Sequence, residues 1–132
     1  MNAEAIEAKL REFLSRNAER EGITAAYLFG SVARGTAGPR SDVDVGVLYE
    51  EDPPLTLEGL GLRLEGDLES LLEKPVQLVV LNHAPVDLAI RVLRDGKLLV
   101  DRDRSKRIDF EVKARFEFFD LEPYLKLYRG MR

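Results

Sequence analysis

Ile6, Leu10, Phe13 and Leu14 recur between charged neighbours at the spacing of one helical face, which predicts an amphipathic helix over residues 3–19. Gly22 marks its end. Ile23 to Phe29 is a short apolar run followed by Gly30-Ser31, the pattern of a buried strand running into a turn. The stretch from Gly35 to Ser41 has the composition of a loop. Val43, Val45 and Val47 then alternate with Asp42, Asp44 and Gly46, a period of two that predicts a second strand with one apolar face, and Pro53-Pro54 stops it. Leu57, Leu60, Leu64, Leu68 and Leu71 fall on one helical face and predict a covering helix that Pro75 ends. Val76 to Leu81 is a β-branched run of strand length. Pro85 opens a shorter helix that Gly96 closes, and Leu98 to Val100 adds an edge strand. Ile108, Val112, Phe116 and Phe119 predict a last helix, which Pro123 should end or kink.

Helices and strands alternating in this order predict a mixed β-sheet covered by helices, an α/β or α+β sandwich, in one compact domain over residues 1–132. Composition narrows the function. Apolar residues at 45% and charged residues at 33% fit a globular domain and exclude a disordered tail. With 24 acidic and 20 basic residues the net charge is −4, so general attraction to nucleic acid is not expected. There are no cysteines, which excludes disulfides, thiolate metal sites and cysteine nucleophiles and is compatible with a reducing cytoplasm. No apolar run approaches the roughly 20 residues that span a bilayer, so no membrane association is expected.

Candidate chemistry converges on two short segments. Asp42 and Asp44 leave the same face of the predicted strand about 7 Å apart at the backbone, close enough to converge on one metal site while the valines anchor the strand. Oxygen ligands without His or Cys favour a hard cation. Mg²⁺ in particular keeps several waters and bridges carboxylates to phosphates, which makes a nucleoside triphosphate the natural co-ligand. Upstream, Gly30-Ser31 follows the first strand, where a glycine lets phosphate approach the backbone and the serine hydroxyl adds a donor. Gly30 to Thr36 has the glycine spacing of a P-loop but lacks its lysine, and no G-x-G-x-x-G follows a strand. Neither a P-loop NTPase nor a dinucleotide fold is supported.

Gly30-Ser31-Val32-Ala33-Arg34-Gly35 and Ser41-Asp42-Val43-Asp44 occur in order, with ten residues between Ser31 and Asp42. The combination resembles the signature of the nucleotidyltransferase superfamily, related to DNA polymerase beta, and in particular the minimal nucleotidyltransferases that act as antitoxins beside HEPN-domain toxins. Pro75 to Asn82 is similar to that family's third core strand, Arg94 to Lys97 to the turn after it, and Phe119-Asp120-Leu121 also fits. The resemblance implies a nucleotidyltransferase fold, with Gly30, Ser31, Arg34 and Ser41 binding the nucleotide and Asp42 and Asp44 holding two Mg²⁺ ions. A third carboxylate of the family falls at Gln77, whose amide can donate a hydrogen bond or offer a neutral oxygen but cannot act as a base.

Two functions follow from the resemblance: AMP transfer from ATP to a hydroxyl, with a tyrosine of a HEPN toxin as acceptor, or toxin neutralisation by a binding module whose catalytic centre is weakened. A small-molecule transferase would need an acceptor domain that 132 residues hardly accommodate. Arg34 has two readings, phosphate neutralisation or a structural ion pair. His83 reads as a surface or helix-entry residue, and Glu50-Glu51-Asp52 as a solvated loop. The aromatic residues Phe110, Phe116, Phe118, Phe119, Tyr124 and Tyr128 exceed one helical stripe, which leaves some of them for a protein partner or a homo-oligomer contact.

Overall fold

The computed structural model describes residues 1–130. Its elements are α1 (Ala3–Glu21), β1 (Ile23–Phe29), α2 (Gly30–Arg34), β2 (Val43–Tyr49), α3 (Leu62–Leu72), β3 (Val76–Val80), a 3₁₀ turn (Leu81–His83), α4 (Val86–Asp95), β4 (Lys97–Asp101) and α5 (Arg104–Gly130). The strands form one sheet in the order β3-β2-β1-β4, with β1 antiparallel to both neighbours and β3 parallel to β2.

Every residue of β1 is buried, because this strand is covered on both faces. One layer is built by Ile6, Leu10, Leu14 and Ala18 of α1 and Leu64, Leu68 and Leu72 of α3, packed on Val43, Val45 and Val47 of β2. On the other face Val92 of α4 and Phe110 of α5 pack with Tyr27, Phe29 and Leu48. A bulge between Ile23 and Ala25 shifts the parity of β1, which is why Ile23 and Ala26 both face the first layer while Ala25 and Tyr27 face the second. Gly46 lies under α4, where an added Cβ would stand 3.3 Å from Val92 Cγ1 and 3.4 Å from Leu81 Cδ1. α4 is thereby brought down onto the strand that carries Asp44.

The structure departs from the periodicity in four places. Gly30-Ser31 opens a one-turn helix, α2, rather than a simple turn. Asp42 precedes β2 instead of standing on it. The leucine helix starts at Leu62, because Gly61 takes φ +81° and breaks the path; Leu57 and Leu60 remain exposed in the turns before it. Finally, α5 continues through Pro123, and it turns its regular apolar stripe outward: Phe116 and Phe119 are each 66% exposed, and Ile108 and Val112 also face solvent. Its packing face carries Phe110, Ala114 and Phe118, flanked by Glu111, which accepts a hydrogen bond from the Tyr27 hydroxyl at 2.7 Å. Tyr124 is exposed, and the side chain of Tyr128 lies outside the described residues.

Candidate active site

The site lies where β1 and β2 end side by side. Pairing places Phe29 beside Asp44 and Asp44 beside Gln77, so the three form one rung across the sheet. The period of two, read from the sequence, sends Asp44 to the α4 side while Val43 and Val45 hold the strand in the opposite core layer. An open cleft of about 370 Å³ sits over this rung and brings together five of the seven residues expected at the site: Gly30, Ser31, Arg34, Asp44 and Gln77.

Gly30 takes φ +73°, and a Cβ added there would lie 2.9 Å from Asp44 Cγ and run into Oδ2. Both facts require glycine, and together they place the start of α2 against the Asp44 carboxylate. That carboxyl is pushed above the usual carboxylate range, first by burial and then by the charge of Asp42, with Arg91 and Arg34 opposing. Asp42 is exposed just before β2, two residues from Asp44, and its negative charge is one of the causes that raise the Asp44 carboxyl. Gln77 is exposed on β3, next to Asp44. Ser41 and Asp42 are not among the residues lining the cleft; Ser41 Oγ accepts the Gly38 N–H at 2.9 Å and shapes the preceding loop.

Two cleft residues escaped the sequence reading. Arg91 and Asp95 of α4 fall on the same helical face as Leu88, and all three line the cleft. Asp95 pairs with Arg34 at 3.1 Å, so Arg34 both borders the cleft and makes an ion pair. Arg91 has no hydrogen-bond or ion-pair partner among the described residues. Their i, i+3, i+7 spacing was visible in the chain, but nothing local indicated which face of α4 would meet Asp44. His83 is exposed and its ring donates to the Pro53 carbonyl at 2.7 Å, a role in holding the chain before α4.

The donor set suits a hard divalent cation: two carboxylates, one of them beside a glycine that leaves its flank open. No cluster of three acidic or histidine ligands able to hold a metal occurs among the described residues, so the remaining ligands would come from water and a phosphate-bearing substrate. Two of the acids lining a second cavity, about 380 Å³ at the far end of β2, are held in ion pairs: Glu21 with Arg63 at 2.7 Å and Glu50 with Arg102 at 2.9 Å.

A mixed sheet with a glycine-serine corner packed against Asp44, at the start of a strand that Asp42 immediately precedes, fits a nucleotidyltransferase domain. Residues 8–105 match the polymerase beta nucleotidyltransferase family, and the chain belongs to it. The chain is 37% identical over 95 residues to the protein adenylyltransferase MntA of Thermococcus cleftensis, a match covering 72% of this chain and 93% of that protein. It is 35% identical over 89 residues to the protein adenylyltransferase MntA of Shewanella oneidensis, covering 67% and 60%. Among solved structures, a chain of a toxin–antitoxin complex with AMP-PNP superposes with a TM-score of 0.74 at 28% identity, covering 96% of this chain and 98% of that one. A chain of the tri-AMPylated Shewanella oneidensis HEPN toxin in complex with its MNT antitoxin gives 0.70 at 25% identity, covering 98% and 99%. Family membership suggests a divalent metal.

Proposed function

We propose that this protein is a protein adenylyltransferase that moves AMP from ATP to a hydroxyl, a tyrosine of a HEPN-domain toxin, and so acts as an antitoxin. The observation that carries the reading is Gly30 held at positive φ against the Asp44 carboxylate, in a cleft shared with Ser31 and Arg34. Similarity to MntA proteins and to a complex with AMP-PNP supports the nucleotide and the partner.

In this reading Gly30 and Ser31 receive the triphosphate, and Arg34 and Arg91 supply positive charge from α2 and α4. Ser41 fixes the loop that delivers Asp42. Asp42 and Asp44 are the ligands for Mg²⁺, which when bound neutralises phosphate charge and polarises the reacting phosphoryl group. The acceptor oxygen bonds to the α-phosphorus as the bond from that phosphorus to its bridging oxygen breaks, and pyrophosphate leaves with the electron pair. The hydroxyl proton passes to a phosphate oxygen or to water, because Gln77 cannot take it; the amide is left to orient the acceptor. The whole of residues 1–132 acts as one nucleotidyltransferase-like unit, in the cytoplasm; among the described residues no helix is long and apolar enough to cross a membrane.

A second reading has one observation in its favour. Gln77 stands on the rung beside Asp44, where the resemblance places a third carboxylate, and this suits an antitoxin that neutralises by binding. Calorimetric titration with ATP and Mg²⁺ tests the nucleotide site common to both. Asp42→Asn with Asp44→Asn should abolish Mg²⁺-dependent binding while the fold persists, and unchanged affinity would remove the metal assignment.

A further inference from the structure

Beside the cleft, a second depression of about 410 Å³ runs along the outer edge of the sheet. Leu57, Leu60 and Leu62 form its rim, exposed by 72%, 48% and 56%. Three large aliphatic side chains held out of one short segment are a costly surface to leave in water, and such patches mark interaction sites. The segment is built to present them. The Leu60 N–H donates to the Thr56 carbonyl at 2.9 Å, the Gly61 N–H to the Glu58 carbonyl at 3.0 Å, and the Gly59 N–H to Thr56 Oγ1 at 3.1 Å.

This groove is continuous with the nucleotide cleft, since Val79 and Leu88 belong to the walls of both. Val79 is the next residue after Gln77 on the same face of β3. The groove is not an open strand edge. The Val76 N–H donates to Glu69 Oε2 at 3.2 Å and the Leu78 N–H to Glu65 Oε2 at 2.9 Å, so α3 closes those donors of β3 to an added strand. Recognition here is by side chains.

We infer that this groove docks the acceptor protein, receiving large apolar side chains that flank the hydroxyl to be modified. The inference rests on the adenylyltransferase reading, which puts the triphosphate at Gly30 and Ser31, on the β1 side of Asp44. In-line displacement requires the acceptor to approach opposite the leaving pyrophosphate. That direction is the β3 side, past the exposed Gln77, where the leucine groove begins.

The test uses the full chain, ATP, Mg²⁺ and the HEPN-domain toxin of the same genome. Leu57→Asp with Leu60→Asp should raise the KM for toxin about tenfold or more, with the Kd for ATP and the kcat at saturating toxin unchanged. In this cysteine-free chain, Leu60→Cys carrying a photoreactive maleimide should crosslink to the toxin segment that bears the modified hydroxyl, whereas Glu12→Cys should not. If wild type transfers AMP but the double variant keeps the wild-type KM, or the labelled Leu60→Cys variant crosslinks to a second copy of this chain instead, the groove assignment is wrong and the enzyme assignment stands. If wild type binds ATP yet transfers nothing to the toxin, the enzyme reading fails and the inference falls with it.

Discussion

Gly30→Ala tests the geometry on which the site depends. Alanine at φ +73° carries a backbone cost of about 1–2 kcal/mol, and its Cβ must displace the Asp44 carboxylate, which adds about 0.5–1.5 kcal/mol for an off-rotamer side chain. The sum, about 1.5–3.5 kcal/mol, corresponds to a fall of roughly 5–17 °C in Tm for a domain of this size. Gly35→Ala is the matched control, since Gly35 has φ +76° but nothing within 4 Å of an added Cβ. It should carry only the backbone cost. The two variants therefore share a strain and differ in what happens to Asp44. With Asp44 as the proposed metal ligand, displacing its carboxylate by about 1 Å is enough for a loss of up to 10²-fold in transfer rate. By calorimetry with ATP and Mg²⁺, Gly30→Ala should bind at least about tenfold more weakly, while Gly35→Ala stays within about twofold of wild type. Equal affinities for wild type and Gly30→Ala, or an equal loss in both variants, would refute the claim that Gly30 is required by its contact with Asp44.

Other outcomes follow from the same structure. The Asp44 carboxyl is held above its unfolded value, so the cost of ionising it in the fold appears as pH rises through its folded pKa; Asp44→Asn should raise the Tm of the metal-free protein at pH 7 but not near pH 3, and no gain at pH 7 would contradict the burial argument. Gln77→Asp places a carboxylate beside Asp44 and should accelerate AMP transfer by roughly 10² to 10⁴-fold where chemistry limits the rate; single-turnover rates no faster than wild type would show that no base is needed at this position. Phe116→Ser with Phe119→Ser should change stability by no more than about 0.5 kcal/mol, since both rings stand in solvent, whereas a large loss in urea unfolding would place them in a packed core.

How far the chain can be read by itself depends on the range of the interactions involved. β1 and β2 were legible because their signals are local: an unbroken apolar run for a strand covered on both faces, and a valine period of two for the strand that presents Asp44. The start of α3 was not, because Leu57 and Leu60 keep helical spacing while Gly61, at positive φ, breaks the path they suggest. In α5 the failure is more instructive. Ile108, Val112, Phe116 and Phe119 make the more regular stripe, yet the helix packs through Phe110, Ala114 and Phe118, and no property of an isolated helix says which of two apolar stripes meets the sheet. At the cleft, Gly30, Ser31 and Asp44 were found through their spacing, whereas Arg91 and Asp95 enter it only through the packing of α4 over Gly46.

The most direct test of the proposed function is the intact mass of the HEPN-domain toxin of the same genome after incubation with this protein, ATP and Mg²⁺. The toxin should gain the mass of one or more adenylyl groups on tyrosine, a gain lost when Asp42→Asn and Asp44→Asn are combined in a folded protein. A toxin of unchanged mass, neutralised all the same by wild type and by the double variant, would contradict the proposed function.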